Sequence, residues 1–201
     1  MNETAVTLRP AVLARLRTET RDQHDAIEQT LQLMDDDLTA AAYRHRLERF
    51  YGFYKPVEDR IFNNGSPLEE WLTLQHRRKT PLLEADLKAL GQQAAAPLPL
   101  CVDLPPLNDA AEYFGCMYVL EGATLGGVLI SRHIQKKLGM TAMTGGQFFN
   151  GYGERTGAMW QEFRTAITDF SFVTDQQDAV IASARATFET LQFWCQGKQN
   201  R

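Results

Sequence analysis

The feature that most constrains this chain is a long helical stretch with glycines in its interior. The stretch covers residues 108–139 and contains Gly115, Gly122, Gly126 and Gly127. An interior glycine lowers helix stability by roughly 0.5–1 kcal/mol relative to alanine, because glycine has more backbone freedom in the unfolded chain. We therefore expect this helix to bend, or to lie against another helix or a large ligand. A continuous helix here would span about 46 Å at 1.5 Å per residue.

Two segments before this stretch also have helical spacing. Pro10 can begin a first helix, and Thr39 can cap a second helix that Pro56 should kink or shorten. The first stripe consists of Leu13, Leu16, Thr20, His24, Ile27 and Leu31. The second stripe consists of Tyr43, Leu47, Phe50, Tyr54, Val57 and Ile61. Each stripe has the spacing of three and four residues that lines one face of a helix.

Shorter signals predict the remaining helices. Ser66-Pro67 and Thr80-Pro81 each pair a cap residue with a proline at the first helical position, and Gly91 can end the second of these helices. Residues 92–106, rich in alanine and proline, predict a surface connection. A loop at 145–153 precedes a helix with Met159, Trp160, Phe163 and Ile167.

The last helix follows a capping box formed by Thr174 and Gln177. Its apolar side carries Val180, Ile181, Ala184, Phe188, Leu191 and Trp194. No segment shows the alternation typical of strands, and no repeat or domain linker is evident. The sequence therefore predicts a single all-α domain over residues 1–201 with about seven helices.

Composition excludes several classes of function. Asp and Glu (25) outnumber Lys and Arg (21), so a nucleic-acid-binding surface is not expected. The densest basic cluster, residues 76–79, is interpreted as the solvated end of a helix. No run approaches the ~18–20 apolar residues of a membrane span, and the N-terminus does not resemble a signal peptide. The three cysteines, Cys101, Cys116 and Cys195, are widely spaced, which favours reduced thiols in a cytoplasmic protein.

His24 is the best candidate for a ligand-binding side chain. A lone histidine on an apolar face is more often a core residue, but two neighbours favour a chemical role. Glu28 lies one turn away and could orient the imidazole, and Arg17 lies two turns back, where it could meet a carboxylate. The other histidines, His45, His76 and His133, lie beside basic residues and are weaker candidates.

No motif of hydrolases, phosphate-binding loops or dinucleotide-binding folds is present. A di-iron bundle is also excluded, because it requires Glu-x-x-His pairs and the chain has none. Glu121 is interpreted as a solvated or structural carboxylate.

The chain resembles the haem oxygenases, especially the bacterial enzymes associated with bacteriophytochromes. Residues 16–28 resemble the family's proximal helix, with a basic residue before Thr-x-x-x-His-x-x-x-Glu. Residues 120–127, LEGATLGG, resemble its glycine-kinked distal helix. Residues 148–154 and 184–188 are similar to later family segments. The resemblance implies a haem-oxygenase-like helical bundle.

The resemblance also implies the roles of individual residues. His24 would be the axial ligand of the haem iron, supported by Glu28, and Gly122, Gly126 and Gly127 would let the distal backbone approach the haem face. Arg17 would pair with a haem propionate, and Arg132 or Arg185 would do the same or receive the electron donor.

The implied reaction opens haem with O2 to give biliverdin, CO and Fe2+. Electrons would come from an external donor such as ferredoxin or a flavin reductase, and a bacteriophytochrome could accept the bilin. No nucleic-acid or membrane partner is expected.

One position departs from the family pattern. Many members have an aspartate after the first distal glycine, where this chain has Ala123. Thr124, Glu121 or waters held by glycine carbonyls could then deliver protons. The departure also supports an alternative, a haem carrier that does not turn over. A third hypothesis is a helical protein for another small molecule, as in the thiaminase-like relatives, whose expected cysteine and acidic pocket pattern is absent here.

Overall fold

The structure, a computed structural model, describes residues 11–63, 65–91 and 97–198. Over these residues the fold is entirely helical and contains no strand, as the sequence predicted. The eight α-helices are α1 Val12–Glu19, α2 Arg21–Leu31, α3 Ala40–Ile61, α4 Thr80–Ala89, α5 Ala110–Leu138, α6 Gln147–Asn150, α7 Thr156–Thr174 and α8 Gln177–Cys195. The predicted start at Pro10 lies outside the described residues.

The first predicted helix is two helices. The backbone breaks at Thr20 (φ −111°, ψ 10°), and the Thr20 hydroxyl donates to the Leu16 carbonyl at 2.7 Å. A threonine that bonds back to the preceding turn competes with regular helix hydrogen bonding. Leu16, Thr20, Ile27 and Leu31 of the predicted stripe are buried, but His24 is exposed.

Helix α3 confirms the predicted cap and stripe. The Thr39 hydroxyl accepts from the Ala42 amide at 3.2 Å, and all six stripe residues are buried. Pro56 does not shorten the helix, contrary to one of the expected outcomes. A proline inside a helix leaves the carbonyl four residues earlier without its usual donor. Here that carbonyl, on Gly52, accepts from the Cys101 amide at 2.8 Å, so the connecting segment supplies the missing hydrogen bond.

The two Ser/Thr-Pro pairs have different outcomes. Residues 66–72 form a turn rather than a helix, so the Ser66 prediction is wrong. Thr80 begins α4, and the cap comes from α3: the buried Glu58 carboxylate accepts from the Lys79 amide, from the Thr80 amide at 3.0 Å and from the Thr80 hydroxyl at 2.6 Å. Gly91 follows α4 with φ +79°, as a helix stop requires, and residues 97–106 form no helix.

Helix α5 is continuous over 29 residues and forms the centre of the bundle. Asp109 caps its start, and Gly139 ends it in the left-handed conformation (φ +69°). By length and composition α5 could cross a membrane, so the prediction that no segment qualifies is wrong. Although Glu121 and Thr124 interrupt the apolar run, the mean hydropathy of its most apolar window stays high. Half of its most apolar window is buried, and it packs against α6, α7 and α8, as a core helix does.

The C-terminal helices pack as predicted, but the capping box does not form. Thr174 is the last residue of α7, and its hydroxyl donates to the Phe170 carbonyl at 2.8 Å. Gln176 occupies the cap position of α8. The predicted apolar side of α8 is buried in full, and its closest neighbour is α5. Gly115 permits this approach, because an added Cβ would lie 2.4 Å from the Val180 carbonyl oxygen.

We predict that Gly115→Ala lowers the free energy of unfolding by about 1–3 kcal/mol, because the new methyl group meets backbone that cannot move aside cheaply. Gly157→Ala in α7 is the matched control, since no atom lies within 4 Å of its added Cβ. The control should gain about 0.4–1 kcal/mol. Urea unfolding of both variants checks this, and a Gly115→Ala protein as stable as the control would contradict the packing described.

Candidate functional site

His24 lies on α2 with its side chain about half exposed (52%). The ring meets Phe188 of α8 edge-on, with 5.9 Å between centroids. Its Nδ1 lies 3.8 Å from an Asp25 carboxylate oxygen, and its Nε2 lies 3.8 Å from a Glu28 oxygen. Both distances exceed a hydrogen bond. Within the described ranges, the imidazole nitrogens therefore have carboxylates nearby but no hydrogen-bond partner.

The middle of α5 presents a bare apolar surface. A Cβ added at Gly122 or at Gly126 would have no heavy atom within 4 Å. Leu125 and Leu129 follow these glycines at three-residue spacing and are 44% and 62% exposed. Residues with this spacing share one helix face. We call the surface at Gly122 and Gly126 the bare face of α5, and Leu125 and Leu129 border it.

Gly127 serves a different purpose from Gly122 and Gly126. Its added Cβ would lie 2.5 Å from the Phe149 carbonyl oxygen, so α6 occupies the space beside it. Gly127 thus resembles Gly115, which lets α8 approach. The helix-packing explanation therefore applies to Gly115 and Gly127, whereas Gly122 and Gly126 have open space beside them.

The segment 20–36, which contains α2, contacts α5 near both of its ends. At one end Tyr118 lies beside Thr20, whose hydroxyl opposes the rise in the pKa of Tyr118 that burial causes. At the other end His133 Nε2 lies 3.0 Å from the Asp35 carbonyl oxygen, beside an ion pair between Lys137 and Asp36. The 15 residues from Tyr118 to His133 correspond to about 22 Å of helix.

Between these two connections α2 and α5 do not pack closely on each other, whereas both pack on α8. We call the region that α2, α5 and α8 border between these two connections the slot. His24 contacts Phe188 of α8, and open space lies beside Gly122 and Gly126 of α5.

Two of the predicted arginines remain available for a ligand. Arg17, in the last turn of α1, is close enough to Tyr118 for its charge to oppose the rise in the pKa of that phenol that burial causes. Arg132 is exposed on α5. Neither forms an ion pair with another described residue. Arg185 is already engaged, because its Nε donates to the Glu19 carbonyl at 2.8 Å and its Nη2 lies 3.2 Å from the Glu19 carboxylate.

The other histidines lie outside α2. His45 and His76 are exposed on other parts of the chain, and His133 contributes to the connection at the far end of the slot.

A cluster of charged side chains surrounds the buried Glu121, on a different side of α5 from the bare face. Glu121 is fully buried, and its carboxylate accepts from Arg77 Nη1 at 3.0 Å, from Lys79 Nζ at 3.0 Å and from the Tyr152 hydroxyl at 2.6 Å. Arg77 also binds Glu162 of α7 at 2.9 Å. Burial lowers the pKa of Lys79, and the nearby Glu121 charge opposes that shift. We call these five residues the Glu121 cluster.

The Glu121 cluster corrects the interpretation of residues 76–79 as a solvated helix end. Arg77 and Lys79 are buried, whereas His76 and Arg78 are exposed, and the segment is not helical. The alternation of buried and exposed residues is typical of an extended segment. It could have been noticed in the sequence, but the buried carboxylate that binds both cations is 42 and 44 residues away.

Ala123 is exposed next to Gly122 and offers no acid group. Thr124, a candidate for proton delivery, is buried, and its hydroxyl donates to the Glu121 carbonyl at 2.6 Å. The Glu121 carboxylate is also committed, to the three donors of its cluster. Thr124 and Glu121 therefore act as structural residues in this conformation.

Comparison with known proteins gives a consistent picture. A family model described as heme oxygenase matches residues 11–196. A heme oxygenase from Xanthomonas campestris pv. campestris (strain 8004) is 29% identical over 127 residues, which cover 60% of this chain and 73% of that protein.

Solved structures share the fold at low sequence identity. The heme oxygenase of Neisseria meningitidis, solved with NO and CO bound, aligns with a TM-score of 0.80 at 19% identity, over 94% of this chain and 92% of that one. The Leptospira interrogans enzyme aligns with a TM-score of 0.76 at 17% identity, over 94% and 100%. Heme oxygenase-1 of Synechocystis sp. PCC6803, in complex with heme, aligns with a TM-score of 0.72 at 14% identity, over 94% and 92%. Because the family model spans nearly the whole described chain, the protein belongs to the haem oxygenase family of enzymes.

Proposed function

We propose that the protein binds haem in the slot and cleaves it with O2 and external electrons to biliverdin, CO and Fe2+. The observation that carries the proposal is the pairing of a histidine whose ring nitrogens are unbonded with a helix face that lacks side chains. A flat ligand needs both features: a ligand atom on one side and close backbone on the other. When bound, haem supplies both the iron chemistry and the ring that is oxygenated.

In this proposal the His24 imidazole would bind the haem iron. Its ring nitrogens make no hydrogen bond to a described residue, so binding a metal breaks no existing bond. Glu28 lies close enough to interact with the ring after a small side-chain rotation, and it would then raise the basicity of the imidazole. Phe188 limits the orientations of the ring from the α8 side.

Gly122 and Gly126 would form the distal wall, and Gly127 would support that wall through its packing on Phe149. Arg17 and Arg132 would hold the propionates, since guanidinium groups pair well with carboxylates. Ala123 leaves the distal wall without an acid. We therefore assign proton delivery to waters held by the carbonyl groups of the bare face.

Electrons would come from an outside donor such as ferredoxin or a flavin reductase. We place the reaction in the cytoplasm, with a bacteriophytochrome as one acceptor of the bilin. The buried, unpaired thiols of Cys101, Cys116 and Cys195 support a reducing compartment. Burial raises the pKa of Cys116 and that of Cys195 to about 12, so neither is poised for thiolate chemistry.

One reductive turnover with stoichiometric haem tests the proposal. We expect loss of the haem absorbance, a product with the mass of biliverdin, and released CO. Intact haem after reduction in air would instead select the carrier alternative, which the missing acid at Ala123 favours.

We predict that His24→Ala weakens haem binding at least about tenfold, or ~1.4 kcal/mol, because the bond to iron is lost. Titration followed by absorbance should also lose the signature of histidine ligation. His45→Ala, an exposed histidine on α3, is the matched control and should bind as the unaltered protein does. Normal affinity and spectrum in His24→Ala would refute the ligand assignment.

We predict opposite effects of alanine at two glycines of α5. Gly126→Ala should stabilise the haem-free protein by about 0.5–1 kcal/mol, because its methyl group enters open space. The same methyl group should impair haem binding. Gly127→Ala should destabilise the haem-free protein by about 1–3 kcal/mol, because its methyl group meets the Phe149 carbonyl. Thermal unfolding and haem titration measure both effects, and a Gly126→Ala protein with unchanged haem binding would contradict the distal-wall assignment.

A further inference from the structure

We propose that Glu121 is a positioning residue whose buried carboxylate fixes the rotation of α5, so that Gly122 and Gly126 face the slot. This inference rests on the proposed function, because it assigns a role in forming the haem site. Glu121 would not touch haem, and it would act through the glycines that follow it in the chain.

The first argument is the geometry of the carboxylate. Three donors converge on it: Arg77 and Lys79 from the segment before α4, and Tyr152 from the segment after α6. Directed hydrogen bonds from two separate segments restrict rotation of a helix more narrowly than apolar contact does, because each bond has a preferred distance and angle.

The second argument is the position of Glu121 on the helix. Successive residues are about 100° apart, so Gly122 and Gly126 lie about 100° and 140° around the axis from Glu121. The cluster therefore holds α5 from a different side of the helix than the one that carries the two glycines. A rotation of less than one residue step would bring the Ala123 methyl group or the Leu125 side chain into the slot.

The third argument is the connection to neighbouring elements. Arg77 donates to the Met159 carbonyl at 3.3 Å and pairs with Glu162, which links Glu121 to α7. The Thr124 hydroxyl bonds the Glu121 carbonyl and closes the adjacent turn. Past the glycines, Phe149 packs on Gly127, and the buried Asp86 carboxylate holds α6 through the Gln147 and Phe148 amides at 2.7 Å each.

The fourth argument is that burying charged groups costs free energy, so their burial is expected to serve a structural purpose. A buried ion cluster is no more stabilising in general than well-packed apolar residues of the same size, whereas it can specify one arrangement among several. The glycines leave this part of α5 with little side-chain packing of its own on the slot side. A charged anchor on another side of the helix supplies the missing specification.

The test compares Glu121→Gln with Val57→Ala, which truncates a buried apolar side chain on α3 and removes no hydrogen bond or ion pair of the cluster. Amide hydrogen exchange is measured on the haem-free proteins. We expect exchange at residues 122–127 to rise about tenfold more in Glu121→Gln than in Val57→Ala, after correction for global stability. Equal local exchange in the two variants would overturn the proposal.

A second measurement uses the haem complex. Glu121→Gln should still show histidine ligation, because His24 is unchanged, but the distribution of biliverdin isomers should differ from that of the unaltered protein. Val57→Ala should leave the distribution unchanged. An unchanged distribution in Glu121→Gln would overturn the proposal. The exchange experiment needs no turnover, so a protein that makes no bilin would refute the proposed function separately.

Tyr152→Phe covers the case in which Glu121→Gln does not fold. It removes one donor and keeps the ring, which lies 4.2 Å from Lys79 Nζ. A smaller change in the same direction is expected in both measurements, and exchange and isomers identical to those of the unaltered protein would overturn the proposal.

Discussion

A helix face without side chains makes few packing contacts, so the position of α5 in the bundle depends on contacts made by its other sides. Side chains normally orient a helix by packing, but α5 has glycines where it borders the slot. Its orientation must come from its other sides. Helix α8 packs along α5 where Gly115 permits close approach, α6 packs at Gly127, and the Glu121 cluster connects the middle of α5 to α7. These contacts leave open space beside Gly122 and Gly126.

The four glycines have two different structural roles on α5. Gly115 and Gly127 allow neighbouring backbone to approach, so adding a methyl group creates a clash. Gly122 and Gly126 leave a surface free, so adding a methyl group changes what can bind there and not how the protein packs. The spacing of glycines along the sequence cannot separate these cases, because both pairs occur in the same periodic pattern.

Local patterns predicted what depends on local physics. The buried stripes of α3 and α8, the Thr39 cap, and the stops at Gly91 and Gly139 follow from helical period and backbone preference, and the structure confirms them. Predictions failed where a residue distant in sequence determines the local structure. Glu58 of α3 caps α4. The Cys101 amide gives the Gly52 carbonyl the hydrogen bond that Pro56 cannot donate. The buried Glu121 carboxylate binds Arg77 and Lys79 in the core. The candidate site was predicted from His24 and the glycines, but the connections between α2 and α5 were not foreseeable from residue spacing.

A crystal structure of the ferric haem complex measures the central claim most directly. The account predicts iron bonded to a ring nitrogen of His24, with the porphyrin plane against the backbone of Gly122 and Gly126. Iron bonded to another residue, or a porphyrin outside the space between α2 and α5, would contradict it.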